Sequence, residues 1–278
     1  MDRILSADST PIAYRRRGEG PPLVLVGGAL GTAAADAPLA ALLAPRFTVV
    51  TYDRRGRGAS GSGGAGGVAG VRREIEDLAA VVTAAGPGAS VFGMSSGGAL
   101  ALEAAAAGLP VELLAVYEPP YTPGASGLLL KARASDRLHR LLAAGDRTGA
   151  VELFLAATGV DPATVDRMRR APLWPGLEAL APTLAYDDAV LGDGAVPAER
   201  FAAVTARTLV VCGGFSSARS RAATRTLAEA LPAPGTVRSP ARRTRWPRRC
   251  SPRCWRTSSP GTCTYARRRE AGALRLPR

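Results

Sequence analysis

The chain has 278 residues and a formal net charge of +13. That length accommodates one large core, or a core with an inserted subdomain, and such a charge on its own points to a nucleic-acid or membrane partner. Its distribution removes that reading. From Arg238 to Arg278 there are 13 arginines against one acid, Glu270, a balance of +12, while Met1–Val237 carries 23 basic and 22 acidic residues, a balance of +1. Cysteine follows the same split, with Cys212 in the body and Cys250, Cys254 and Cys263 in the tail. No disulfide framework is implied, and a zinc ion would lack a fourth ligand. The first residues, MDRILSADST, have no apolar core of a leader peptide, and no apolar run approaches the roughly 18 residues of a membrane span. A soluble cytoplasmic protein without a membrane partner is therefore expected. Lys131 is the only lysine against 35 arginines, a usage typical of GC-rich coding sequence.

In chain order, Arg3–Arg17 shows β-prone runs around Asp8-Ser9-Thr10-Pro11, an opening hairpin. Pro21-Pro22 leads into Leu23–Val26, a continuous apolar run ending at Gly27-Gly28, as a strand buried on both faces of a parallel sheet requires. Ala33–Ala44 is helix-prone and Phe47–Asp53 is the next strand. YDRRGRGASG (Tyr52–Gly61) and a Gly-rich loop to Gly70 follow, then an amphipathic helix over Val71–Ala85. The Gly-rich loop lacks the G-x-x-x-x-G-K-[ST] pattern of a phosphate cradle. Val111–Glu118 is another buried strand, ended by Pro119-Pro120. From Tyr121 to Arg200 the pattern is helical, and some 80 residues of helix between two strands exceed any ordinary crossover, so they read as a lid over the strand ends. Thr208–Gly214 resumes the sheet and Arg221–Leu231 is its following helix. Alternating strands and helices predict an α/β fold with a mostly parallel sheet, helices on both faces and an inserted helical lid.

Between the Val71–Ala85 helix and Val111 lies Ser90–Ala107, SVFGMSSGGALALEAAAA, a buried strand, a tight turn and a helix in immediate succession. Ser95 is at its apex. Gly93 and Gly97 flank it in the pattern G-x-S-x-G, and glycine lets the backbone bend so sharply without a Cβ clash. The turn lifts the Ser95 hydroxyl to a helix N-terminus, where free N–H groups favour a developing oxyanion.

LVLVGG, YDRRGRGAS, GMSSGG, VYEPP and the helical insertion together resemble the α/β-hydrolase superfamily, in particular its small bacterial members with a helical cap, over roughly Ile4–Leu231. The resemblance implies a core formed by residues 1–120 and 201–237 and a cap formed by 121–200. It implies Ser95 as nucleophile, a histidine base held by a carboxylate, and an oxyanion hole made by the N–H groups of Ala29 and Ser96. Many relatives carry a histidine where this chain has Gly27. The acid usually follows the strand read here as TLVVCGG, but GGFSS has no carboxylate and the family position falls near Ser216. Some relatives carry the acid one strand earlier, where Glu118 stands; Asp187 and Asp188 of the lid are the alternatives.

The only histidine is His139, in the lid segment SDRLHRLLAAG, where a plain surface role is expected. The family places its base in a loop shortly after Leu231, followed by a final helix. Here that stretch reads VRSPARRTRWPRRCSPRCWRTSS, without helical or strand period, and residues 238–278 read as a disordered basic tail. Shifted by one base, the codons for Pro240–Ser259 admit GQTHAVAPAVLAPVLADFL, with a histidine codon spanning Arg243 and Thr244. Two residues of that reading, an alanine and a leucine, are forced by the genetic code. A slip of the reading frame near Arg238–Pro240 is therefore expected.

The resulting expectation is a cofactor-free and metal-free serine hydrolase that cleaves a small, mostly apolar ester or related carbonyl compound through an acyl-enzyme on Ser95, its activity doubtful in the chain as written. The competing readings are an inert or ligand-binding protein lacking its base, and perhydrolase (cofactor-free haloperoxidase type) or lyase chemistry on the same fold. A small-molecule substrate is the expected partner, with no nucleic acid; oligomeric state is not readable.

Overall fold

A computed structural model describes residues 1–62, 67–232 and 234–238. Of the basic tail only Arg238 is described, as the last residue of a strand; residues 239–278, with their expected disorder and frame slip, lie outside the described residues. The chain opens with the hairpin β1 (Asp2–Leu5) and β2 (Pro11–Arg17), turning through Ser9 in the left-handed region. Then come β3 (Pro22–Val26), α1 (Ala33–Leu43), β4 (Thr48–Tyr52), α2 (Gly67–Ala85), β5 (Ser90–Met94), α3 (Ser96–Ala106) and β6 (Leu113–Tyr117). Six helices follow before the sheet resumes: α4 (Ala125–Ala143), α5 (Arg147–Ala157), α6 (Pro162–Arg169), α7 (Trp174–Leu180), α8 (Leu184–Leu191) and α9 (Ala198–Phe201), with a 3-10 turn at Ala181–Thr183. The chain then returns through β7 (Arg207–Cys212), α10 (Ala218–Ala230) and β8 (Pro234–Arg238).

The eight strands form one sheet in the order β1-β2-β4-β3-β5-β6-β7-β8. β1, β2 and β4 pair antiparallel, and every later neighbour is parallel. The α/β fold with a mostly parallel sheet is as the sequence predicts. From β3 the chain first crosses to β4 on one side, and the strands after β4 add on the other side. The order therefore reverses at β3, and the crevice beyond the carboxyl ends of β3 and β5 is where an open α/β sheet presents ligand-binding groups.

Local composition explains these elements. β3 and β5 are apolar runs buried on both faces, as parallel strands covered by helices must be. α3 is buried from Ser96 to Ala105, because SGGALALEAAA has small side chains that let it lie close to β5 and β6. Its one charge, Glu103, is met by Arg200 at 2.8 Å. Three elements differ from the sequence expectation. α2 begins at Gly67 instead of Val71. α10 begins at Ala218 because the Ser217 hydroxyl caps it, accepting from Ser220 N–H at 3.0 Å. β8 lies in a stretch with too few apolar residues to signal a strand; its pairing with β7 supplies the backbone partners.

The apolar residues of the helical insertion pack mainly on one another. Trp174 joins Leu138, Val151, Leu155 and Leu184, with Phe154 and Leu177 packed alongside. Ala29 and Leu30, from the loop after β3, lean on the same cluster. Leu129 and Leu130 are more than half exposed and lie outside that cluster. Among the described residues no helix is long and apolar enough to cross a membrane.

Candidate active site

β5 ends at Met94 and α3 begins at Ser96, so Ser95 alone makes the turn. Its backbone sits at φ 54° and ψ −127°, a conformation costly for a residue with a Cβ and found where surrounding structure overrides local preference. The neighbours explain how it is held. Ser95 N–H donates to Tyr117 O at 2.9 Å, tying the apex to the end of β6. A Cβ on Gly93 would come within 2.5 Å of Gly97 O, and one on Gly97 would strike the carbonyls of Val26 and Gly27. Strand and helix therefore approach each other, and the end of β3, only because both flanking residues are glycine. Gly28 passes close as well: a Cβ there would lie 3.1 Å from the Ser95 Cβ.

Ser96 is the first residue of α3, so its N–H has no acceptor within the helix, and the positive end of the helix dipole lies at Ser95, the residue that caps it. Ala29 follows Gly28 in a tight loop closed by Gly31 N–H donating to Gly28 O at 3.2 Å, with Leu30 at φ 55°. The structure thus brings the segments of Ser95, Ser96 and Ala29 together around the ends of β3 and β5.

Glu118 directly follows β6 at φ 46°, and its N–H donates to Val211 O at 3.0 Å. Its Oε1 accepts from Gly213 N–H at 2.7 Å and from the Ser216 hydroxyl. Tyr117 shares this corner, and burial together with the Glu118 charge pushes its phenol up to about 12. The Glu118 carboxylate therefore lies beside Gly213 and Ser216, just beyond the end of β7.

Asp187 and Asp188 are adjacent on α8 but meet different partners. Asp187 is buried, accepting at 2.7 Å from each of the Ser96 hydroxyl, Arg54 Nη1 and Arg57 Nη2. Burial opposes its charge, but Arg57 and Arg54 outweigh that and hold its carboxyl below the ordinary range. Asp188 meets Lys131 Nζ at 2.7 Å, the Ser135 hydroxyl, and His139 Nε2 at 3.2 Å. His139, the chain's one histidine, is thus a surface group on α4 with its side chain 56 % exposed.

The motif YDRRGRGAS is a buried electrostatic knot. Arg54 makes a two-pronged pair with Glu74 at 2.6 and 2.7 Å, and Arg55 does so with Asp77 at 2.6 Å on both prongs. Arg57 Nη1 reaches back to Gly28 O at 2.7 Å. Asp53 accepts from the N–H groups of Ala33 and Ala59, fixing the start of α1. The sequence marks Asp187 only as an alternative acid and does not reveal its bond to Ser96, because an acceptor 91 residues away leaves no local signal. Among the described residues there is no group of three or more His, Cys, Asp or Glu side chains that could hold a metal ion.

Residues 22–238 match the family model described as serine aminopeptidase, S33. No curated protein matches the chain. Among solved structures, the chain is similar to an alpha/beta hydrolase from Sphaerobacter thermophilus DSM 20745, with 50% identity and a TM-score of 0.76 over 85% of this chain and 91% of that one. It shares its fold with a hydrolase from Pseudomonas aeruginosa PA01, at 23% identity and TM-score 0.68 over 86% of this chain and 90% of that one. It also shares it with the enol-lactonase from Burkholderia xenovorans LB400, at 21% identity and TM-score 0.60 over 86% and 92%. With the strand order, the strained serine between β5 and α3 and these matches in place, the chain belongs to the serine aminopeptidase, S33 family of α/β hydrolases.

Proposed function

We propose that the site is that of a serine hydrolase acting on a small, mostly apolar ester or related carbonyl compound, with the helical insertion as its cap. Ser95 Oγ attacks the carbonyl carbon while a histidine base takes its proton. The resulting oxyanion is met by the N–H groups of Ala29 and Ser96, and Glu118 orients the base and stabilises its protonated form. Collapse returns the proton to the leaving group, and water then cleaves the acyl-enzyme by the same route. No cofactor or metal takes part. The observation that carries this reading is the Ser95 conformation, φ 54° at the N-terminus of α3. A strained serine persists where its neighbours override local preference, and here they are three glycines that admit the close approach. The half-identical hydrolase from Sphaerobacter thermophilus supports the same class.

The base comes from the shifted frame. The slip is placed near Arg238–Pro240, and the histidine restored across Arg243 and Thr244 precedes an apolar-periodic stretch with the period of a helix. A second reading, an inert or ligand-binding product without a base, is favoured by the placement of His139, which faces Asp188 on the outer side of α8. Labelling by a fluorophosphonate probe and turnover of p-nitrophenyl acetate separate the two. The chain as written is expected to label weakly or not at all, and the frame-restored chain to label at Ser95 and lose that label in Ser95→Ala. Equal labelling in both frames would remove the argument for the base.

A further inference from the structure

The buried carboxylate of Asp187 is tied to both segments that carry the candidate oxyanion amides, to Ser96 directly and to Gly28 through Arg57. Its Oδ1 accepts the Ser96 hydroxyl at 2.7 Å, and its Oδ2 accepts Arg57 Nη2 at 2.7 Å. Arg57 Nη1 in turn donates to Gly28 O at 2.7 Å. A peptide unit is planar and trans, so fixing the Gly28 carbonyl fixes the Ala29 N–H at the opposite edge of the same plane. Ser96 carries the other amide, and its side chain is clamped directly. Arg54 completes the carboxylate's shell through Oδ1 while held by Glu74. Asp187 belongs to α8 of the insertion, whereas Ser96, Arg54, Arg57 and Gly28 all belong to the sheet domain around β3, β4 and β5.

We propose that Asp187 is a positioning residue that aims the Ala29 and Ser96 amides at one point beside Ser95, so that the oxyanion hole is assembled only when the helical insertion is docked. This rests on the reading of Ser95 as nucleophile. Ordinary packing of a buried ion pair needs neither the Ser96 bond nor the Gly28 bond. Those two bonds distinguish a brace on the amides from a plain structural salt bridge.

Two measurements test it. In the full chain as written, amide proton–nitrogen spectra of Asp187→Asn are expected to shift the Ala29 and Ser96 resonances while those of β1 and β2 stay in place. In the frame-restored chain, Ser96→Ala keeps both arginine pairs and the Ser96 N–H. It is expected to slow fluorophosphonate labelling about tenfold, less than the ~10²–10³ cost of deleting an oxyanion donor. The loss should fall in the maximal inactivation rate, with the half-saturating probe concentration and the thermal midpoint unchanged. An unmoved Ala29 amide in folded Asp187→Asn, or wild-type labelling in Ser96→Ala, overturns the proposal. If Asp187→Asn fails to fold, the Ser96→Ala rate decides. Label found at a residue other than Ser95 removes the nucleophile reading instead, and the amide spectra still decide what Asp187 positions.

Discussion

Asp36 offers a quantitative test of the buried electrostatics. It lies on α1, only 8 % exposed, and among the described residues its Oδ2 has no hydrogen-bond partner. The oxygen is aimed at the backbone after β3, where a Cβ on Gly27 would lie 2.9 Å away. Burial pushes its carboxyl from 3.8 up to about 6; Arg57 opposes that rise and Asp53 adds to it. Between pH 4 and 6 the folded state therefore binds a proton that the unfolded state has released. Stability falls with rising pH across that window and does not recover above it. Each pH unit separating the folded and unfolded titrations is worth about 1.4 kcal/mol, which makes the full cost above pH 6 about 3 kcal/mol. Asp36→Asn removes the titration while keeping the shape, at the cost of an amide with incomplete partners, about 1 kcal/mol. The variant is expected to be about 2 kcal/mol more stable than the parent at pH 8 and no more stable at pH 4. Urea unfolding followed by tryptophan fluorescence at a series of pH values measures the difference, and groups common to both proteins cancel. A difference that stays constant from pH 4 to 8 would refute the assignment of the proton to Asp36.

Other perturbations test other parts of the molecule. Gly97→Ala drives a methyl group into the carbonyls of Val26 and Gly27; a loss of about 1–3 kcal/mol is expected in a thermal melt, together with loss of Ser95 labelling in the frame-restored chain. Asp77→Ala takes the two-pronged partner from the fully buried Arg55 and leaves it the longer pair with Asp8 at 3.1 Å, and a loss of about 3 kcal/mol should appear in urea unfolding. Glu118→Gln keeps an acceptor for Gly213 N–H and the Ser216 hydroxyl but removes the charge. In the frame-restored chain it is expected to lower kcat on p-nitrophenyl acetate by up to about 10⁴ with little change in the melt.

What can be read from the sequence is local. The turn at Ser95 declares itself within five residues, because glycine spacing and the switch from an apolar strand to an Ala-rich helix are short-range properties. The parallel strands β3, β5 and β6 are equally legible as apolar runs between turn residues. The charged motif Arg54–Arg57 is legible as a motif but not as an interior, since its burial depends on Glu74, Asp77 and Asp187, up to 133 residues away. Asp187 and Asp188 show the limit: neighbours on one helix point about 100° apart, and only the fold decides which faces Ser96 and which faces Lys131.

The position of the carboxylate follows from the sheet rather than from the chain. β6 and β7 are parallel neighbours, with Tyr117 level with Val211, so the residue after either strand opens into the same corner. A side chain starting after β6 must reach across one strand spacing, about 4.8 Å, and glutamate has one more methylene than aspartate with which to do so. Gly213 leaves the room: a Cβ there would come within 3.2 Å of Glu118 Oε1 and 2.6 Å of Ser216 Oγ. Ser216 then supplies a hydroxyl donor where an acid after β7 would stand. Exchange of Glu118 for serine with Ser216→Asp would thus preserve a carboxylate in the corner. In the frame-restored chain that double variant should recover p-nitrophenyl acetate turnover relative to the Glu118 single variant. Turnover in the double variant no higher than in the Glu118 single variant would show that the two positions do not serve one site.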